Sequence, residues 1–206
     1  MDRPDEGVAE AERAFALDPF SKHTADIAGW ACYLARRYDL TIQESRKSLE
    51  LYPEFPWAHY DLAEAYERTG RSDEAIQEYL KAEELFGMSQ DRLAELRKTY
   101  QQSGGKGYCR KSLELCQQEF RQPRTFASVS GFGFCDYMKN ADAAAIQVRL
   151  GEYDAAFASL EKGYKNHDAD ILYLNADSQW DPIRSARDFA TWCAAWNFHI
   201  ECFFRV

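Results

Sequence analysis

Residues 56–87 read PWAHYDLAEAYERTGRSDEAIQEYLKAEELFG, and this stretch decides the fold. His59, Leu62 and Tyr66 share one face at i, i+3 and i+4 spacing, which predicts a helix. Gly70 ends it, where a left-handed residue is wanted. Ser72 is placed to cap a second helix, with Asp73 and Glu74 in its first turn. That second helix carries Ala75, Tyr79 and Ala82 and stops near Gly87. Small residues at Ala63, Ala75 and Ala82 let two helix backbones approach, and Tyr66 and Tyr79 fill the space beside them. The stretch is a helical hairpin.

The same punctuation recurs outward from this hairpin. Pro19, Pro53 and Gly87 follow one another at intervals of 34 residues, and Gly70 and Gly104 are 34 apart as well. Such a unit buries its apolar face only by stacking on neighbours, so the period predicts an all-α repeat array. One domain over 4–197 is expected. It comprises a half-unit at 4–20, units at about 22–53, 56–87, 89–120 and 136–167, and capping helices at 168–197.

In the unit at 22–53, Gly29 holds the small position, Tyr38-Asp39 the turn, and Leu49, Leu51 and Pro53 close the second helix. Thr41, Ser45 and Ser48 stand where Ala and aromatic residues are usual, which predicts a weaker seam. In the unit at 89–120, Leu93, Leu96 and Tyr100 point inward on the first helix and Cys109, Leu113 and Cys116 on the second. The phase then slips, because Gly151 lies about thirteen residues beyond its expected place. Pro123, Ser130, Gly131 and Gly133 locate an insertion at 121–135. Unit four has Gly151, Tyr153-Asp154, Ala156, Leu160 and Gly163. A short helix from Asp170 to Asn175, a turn at Trp180-Asp181-Pro182 and a last helix from Ser185 to Asn197 follow, then a tail at 198–206. At the other end, Ala11, Phe15 and Leu17 form an apolar flank. It reads as half a unit from a longer array, or as an edge that a second copy covers.

Leu62, Ala63 and Tyr66, with Ala75, Tyr79 and Ala82, match the L-G-x2-Y and A-x3-F positions of the tetratricopeptide repeat, with Ala for Gly and Tyr for Phe. Gly29-Trp30, Ala35 to Asp39, Arg46 to Leu51, Ala58 to Ala63 and the closing run Asp181-Pro182-Ile183-Arg184-Ser185 resemble bacterial tetratricopeptide arrays. The resemblance implies an α-solenoid coiled as a right-handed superhelix. It also implies a non-catalytic scaffold that holds a peptide or partner domain in its concave groove. In the bacterial group such arrays often follow a winged-helix, cyclase or kinase domain, so a regulatory segment of a larger signalling protein is an alternative. Self-association through the N-terminal half-unit is another.

A net charge of −9 argues against a nucleic-acid partner, which needs clustered Lys and Arg. The Met1–Arg13 stretch lacks a signal-peptide core, and no apolar run spans a bilayer. The six cysteines lack paired spacing, and several sit at small-residue core positions, so a reducing, cytoplasmic setting is expected.

In arrays of this family the first helix of each unit lines the groove. Phase then nominates His23, Asp26, Trp30 and Tyr33 in unit one. Unit two offers Trp57, Tyr60, Asp61, Glu64 and Arg68, and unit three Asp91, Glu95 and Lys98. Trp30 and Trp57 suit packing against the next unit equally well, since aromatic stripes are often core. Acids at Asp26, Asp61, Asp91 and Glu95 would repel a C-terminal carboxylate, so a basic or amphipathic segment is the expected partner.

Catalysis is not expected. Cys135 has no His or Asp near it in sequence, and no phosphate-cradling glycine motif occurs. No metal or cofactor is expected either. His199 and Cys202, with Cys193, lack the second pair a zinc site needs. Asp168, Asp170 and Asp177 lack calcium-loop spacing and read as caps or solvated turns.

Overall fold

The computed structural model describes residues 4–120, 140–168, 171, 173–184, 189, 191, 192 and 194. The insertion expected at 121–135, the tail at 198–206, and Cys135, Asp170, Cys193, His199 and Cys202 lie outside them. The described residues fall into two compact units, one within 3–137 and one within 138–206. No strand occurs among the described residues.

The unit within 3–137 holds α1 (Pro4–Leu17), α2 (Lys22–Leu34), α3 (Tyr38–Leu51), α4 (Pro56–Arg68), α5 (Ser72–Leu85) and α6 (Gln90–Phe120). Each packs on the next, and α2 also meets α4 directly. The first helices of two successive hairpins therefore lie side by side, as an all-α solenoid of hairpins requires. Pro56 stands at the start of α4, where its missing N–H is one no helix would use.

Hairpin closure explains the period. Arg36 (φ 59°), Gly70 (φ 77°) and Gly151 (φ 78°) all take left-handed backbone. The residues after them, Arg37, Arg71 and Glu152, share φ between −93° and −91° and ψ of 63°. Their N–H groups donate to the carbonyls of Cys32, Tyr66 and Gln147 at 2.8–2.9 Å, satisfying acceptors that a helix end leaves over. This closure moves the cap by one residue. Ser72, expected as the cap, is the first helical residue, and Arg71 takes the cap position without a side-chain bond. Its guanidinium instead lies 4.2 Å from the Tyr66 ring centroid and pairs with Glu74 at 2.6 Å.

Counted from the left-handed residue, the fifth, ninth and twelfth positions are buried in each case. They are Thr41, Ser45 and Ser48, then Ala75, Tyr79 and Ala82, then Ala156, Leu160 and Gly163. The hydroxyl residues of unit one thus occupy core seats, and the seam they form is closed. A Cβ built on Gly29 would lie only 3.0 Å from Ser45 Oγ. That approach of α2 to α3 is what the missing side chain permits.

Unit three departs from this pattern. Gly104 (φ 63°, ψ −163°) breaks α6 into two arms, and helix resumes at once without an intervening cap residue. The buried set of the second arm therefore falls one position early. Tyr108, Ser112 and Leu115 are buried, whereas Cys109 and Leu113, the expected core residues, are half-buried. The Cys116 side chain lies outside the described set. Leu93 and Leu96 are buried as expected. Half-buried Tyr100 donates its hydroxyl to Asp73. Lys111 ties the arms together by pairing with Glu95 at 2.7 Å.

The unit within 138–206 contains α7 (Asn140–Leu150), α8 (Tyr153–Lys165), a 3-10 turn (Ser178–Trp180) and α9 (Asp181–Arg184). Ala144, Val148, Ala156, Leu160, Leu174, Trp180, Ile183 and Phe189 form its core. The short helix expected over Asp170–Asn175 is, in its described part, 3-10 in character at Ile171 and Tyr173, with Leu174 N–H on Ile171 O at 3.3 Å. Arg184 fastens the closing segment. Its guanidinium donates to the carbonyls of Leu174 (3.0 Å) and Asp177 (3.1 Å) and pairs with Asp181. Asp177 caps the 3-10 turn by accepting from Gln179 N–H at 2.9 Å. No helix among the described residues is long and apolar enough to cross a membrane.

Candidate functional site

The helix face shared by α2 and α4 gathers three acids. Asp26 projects from the second turn of α2; Asp61 and Glu64 lie one turn apart on α4. Asp61 is 6% exposed and Glu64 4%, while Asp26 is half-buried and opens the cluster to solvent. Taking such groups out of water penalises their charged form. Burial pushes the Asp26 carboxyl up to about 7. Burial first, then the charges of Asp26 and Glu64, hold Asp61 well above the usual carboxylate range. Asp26 Oδ1 and Asp61 Oδ2 are buried and accept no hydrogen bond. A clustered pair of this kind is unfavourable for stability, and such arrangements concentrate at functional sites.

A third buried oxygen joins them. Ser45 Oγ, on α3, also lacks a hydrogen-bond partner, and the residue is 2% exposed. It and Asp61 Oδ2 lie 3.0 and 3.8 Å from the point where Gly29 would carry a Cβ. Ser45 was not among the residues nominated from the sequence, because phase assigns it to a second helix. The only signal was a hydroxyl in a seat that elsewhere holds Ala or an aromatic ring.

The other nominated residues are placed as follows. Tyr33 is buried, its ring 5.8 Å from Tyr38. Trp57 sits edge-on to Phe86 at 4.9 Å, and Tyr60 to Tyr79 at 5.5 Å, so a ring chain runs from Phe86 to Tyr79 and on to Tyr108. Trp57, Tyr60, Trp30 and Arg68 are half-buried. Exposed His23 lies edge-on to Phe55 at 5.7 Å. Asp91 and Lys98 are exposed on α6, and Glu95 is engaged by Lys111. Only Asp26, Asp61 and Glu64 of the nominated acids come together.

The arrangement offers acceptors and no nucleophile with its base. Cys32 is a free thiol, and burial raises its pKa, which leaves it in its unreactive form. Among the described residues, no group of three or more His, Cys, Asp or Glu is placed to hold a metal ion.

No curated protein matches the chain. A family model described as tetratricopeptide repeat matches residues 46–77, from the middle of α3 to the middle of α5. Helical repeats of this kind generally mediate contact between proteins and are typically non-catalytic. The matched stretch is thus similar to a tetratricopeptide repeat, and consecutive helical hairpins flank it.

Proposed function

We propose that the chain is a non-catalytic scaffold that holds a basic or amphipathic segment of another protein against the first-helix face of α2 and α4. The observation that carries this reading is the convergence of Asp26, Asp61 and Glu64 where those helices meet. A partner's positive charge would relieve their mutual repulsion, so binding energy and site strain are coupled. The half-buried rings of Trp30, Trp57 and Tyr60 supply apolar surface on the same helices. Free, buried Cys32 is in keeping with a reducing, cytoplasmic setting.

Fluorescence anisotropy tests the reading with two labelled amphipathic peptides, one of Lys and Leu and one of Glu and Leu. The basic peptide is expected to bind at least about tenfold more tightly, with affinity falling as salt screens the charges. Equal affinity, or preference for the acidic peptide, overturns the proposal.

A second reading, self-association, is favoured by a separate observation. Leu17, the last residue of α1, and Phe20, before α2, are 82% and 88% exposed. Light scattering across a concentration series decides it: a mass that grows with concentration supports association through this edge. A constant monomer mass rules it out.

A further inference from the structure

The acid cluster admits a more specific assignment, which rests on the basic-partner reading above. Three buried oxygens lack hydrogen bonds here: Ser45 Oγ from α3 and Asp61 Oδ2 from α4, both within 4 Å of the point where Gly29 would carry a Cβ, and Asp26 Oδ1 from α2, whose charge acts on Asp61. Asp26 lies one turn before Gly29 on the same helix face. Ser45 stands apart from the acids, on a different helix, and is buried without a partner beside the same glycine. A buried polar group left unpaired costs roughly 1–3 kcal/mol, so three of them on packed helices are a standing cost that a ligand would lessen.

We infer that this cluster is a seat for one primary ammonium group, supplied by a lysine side chain of the bound segment. Three acceptors match the three N–H donors of an ammonium, which is compact and needs no planar approach. A guanidinium is a wide planar fork, whereas the helices pack closely beside the cluster, with Ser45 Oγ 3.0 Å from where a Cβ on Gly29 would stand. Half-buried Asp26 leaves the entrance, and the long lysine stem can lie along apolar surface while its charge goes in.

The charges around the seat suit this occupant. From α4 come Asp61 and Glu64, with Arg68 one turn beyond Glu64; α3 contributes the uncharged Ser45. The basic groups at the start of α2 are turned to Phe55, with Lys22 Nζ 5.3 Å above its ring and His23 edge-on to it. An arriving ammonium favours ionised Asp26 and Asp61, so binding must release protons near neutral pH.

The test is a carboxyl NMR titration of the full chain with N-acetyl-lysine amide. N-acetyl-norleucine amide, N-acetyl-arginine amide and glycine amide serve as comparisons. The lysine probe is expected to lower the Asp26 and Asp61 midpoints by about one pH unit. Norleucine, with the same stem and no charge, should leave them unchanged. Glycine amide, whose ammonium has no stem, should act more weakly than lysine. Ser45→Ala, which keeps the carboxylates, should reduce the lysine effect several-fold. An arginine effect equal to that of lysine, or no movement with lysine at all, overturns the assignment. If lysine moves nothing while the Lys-Leu peptide still binds, the seat is wrong and the scaffold reading stands. If the peptide also fails to bind, both fall.

Discussion

Asp61 shows how a single residue can be read for both stability and function. It is buried beside Asp26 and Glu64, so its carboxyl holds a proton more tightly in the folded chain than in the unfolded one. The same is true of Asp26, whose value rises from 3.8 to about 7 on folding. Stability contributed by the Asp26 proton is complete below pH 3.8 and is lost as the pH climbs through about 7; that from Asp61 is likewise lost as the pH rises. Asp61→Asn cannot ionise, and it is expected to stabilise the chain by about 1–2 kcal/mol at pH 8 and by little at pH 4. Urea unfolding at the two pH values checks this, and equal effects at both would contradict it. That the acids would share a helix face was legible from phase. That Asp61 would be buried while Asp91 stays exposed was not, because burial depends on how neighbouring helices close over each position. The place of Ser45 beside the acids was illegible for the same reason.

At the scale of the helical element, the three closures set the period, and their chemistry makes distinct predictions. Gly70 and Gly151 take left-handed backbone at no steric cost, whereas Arg36 takes it at φ 59° with a full side chain. Arg36→Gly is therefore expected to stabilise by about 0.5–1 kcal/mol, and Gly70→Ala to destabilise by about 1 kcal/mol. Thermal unfolding of the two variants reads both signs, and a destabilised Arg36→Gly chain would mean the side chain compensates for the strain. Glycine punctuation made the turns at 70 and 151 readable, but nothing in an Arg-Arg pair announces a left-handed residue. Unit three shows the opposite limit. Gly104 stands one period after Gly70, which marks a break, yet the second arm's burial falls one residue early because no cap residue follows Gly104. A glycine fixes where a helix breaks, while the backbone angles that follow set which face turns inward.

For the molecule as a whole, stability in stacked hairpins comes from contacts between neighbours, so damage should spread along the stack from the site of insult. Ala63 is fully buried in α4, which packs on α3 and α5. Ala63→Leu is expected to destabilise by about 2–3 kcal/mol through overpacking. Hydrogen exchange should show protection lost in α3, α4 and α5 before α1. Uniform loss throughout residues 4–120 would show instead that this stretch unfolds as one block. The all-α class and the repeat were legible because a 34-residue interval between breakers leaves room for a hairpin and little else. The meeting of α2 with α4 was implied by the same interval. The convergence of oxygens there was not, since it draws on three helices whose contributing positions share no local pattern.

Hydrogen–deuterium exchange of the full chain with and without the Lys-Leu peptide puts the central claim to its most direct test. Slowed exchange concentrated in α2 and α4, abolished by Asp61→Asn, is the predicted result. Protection confined to other helices, or undiminished in the variant, would contradict the proposal that this face holds the partner.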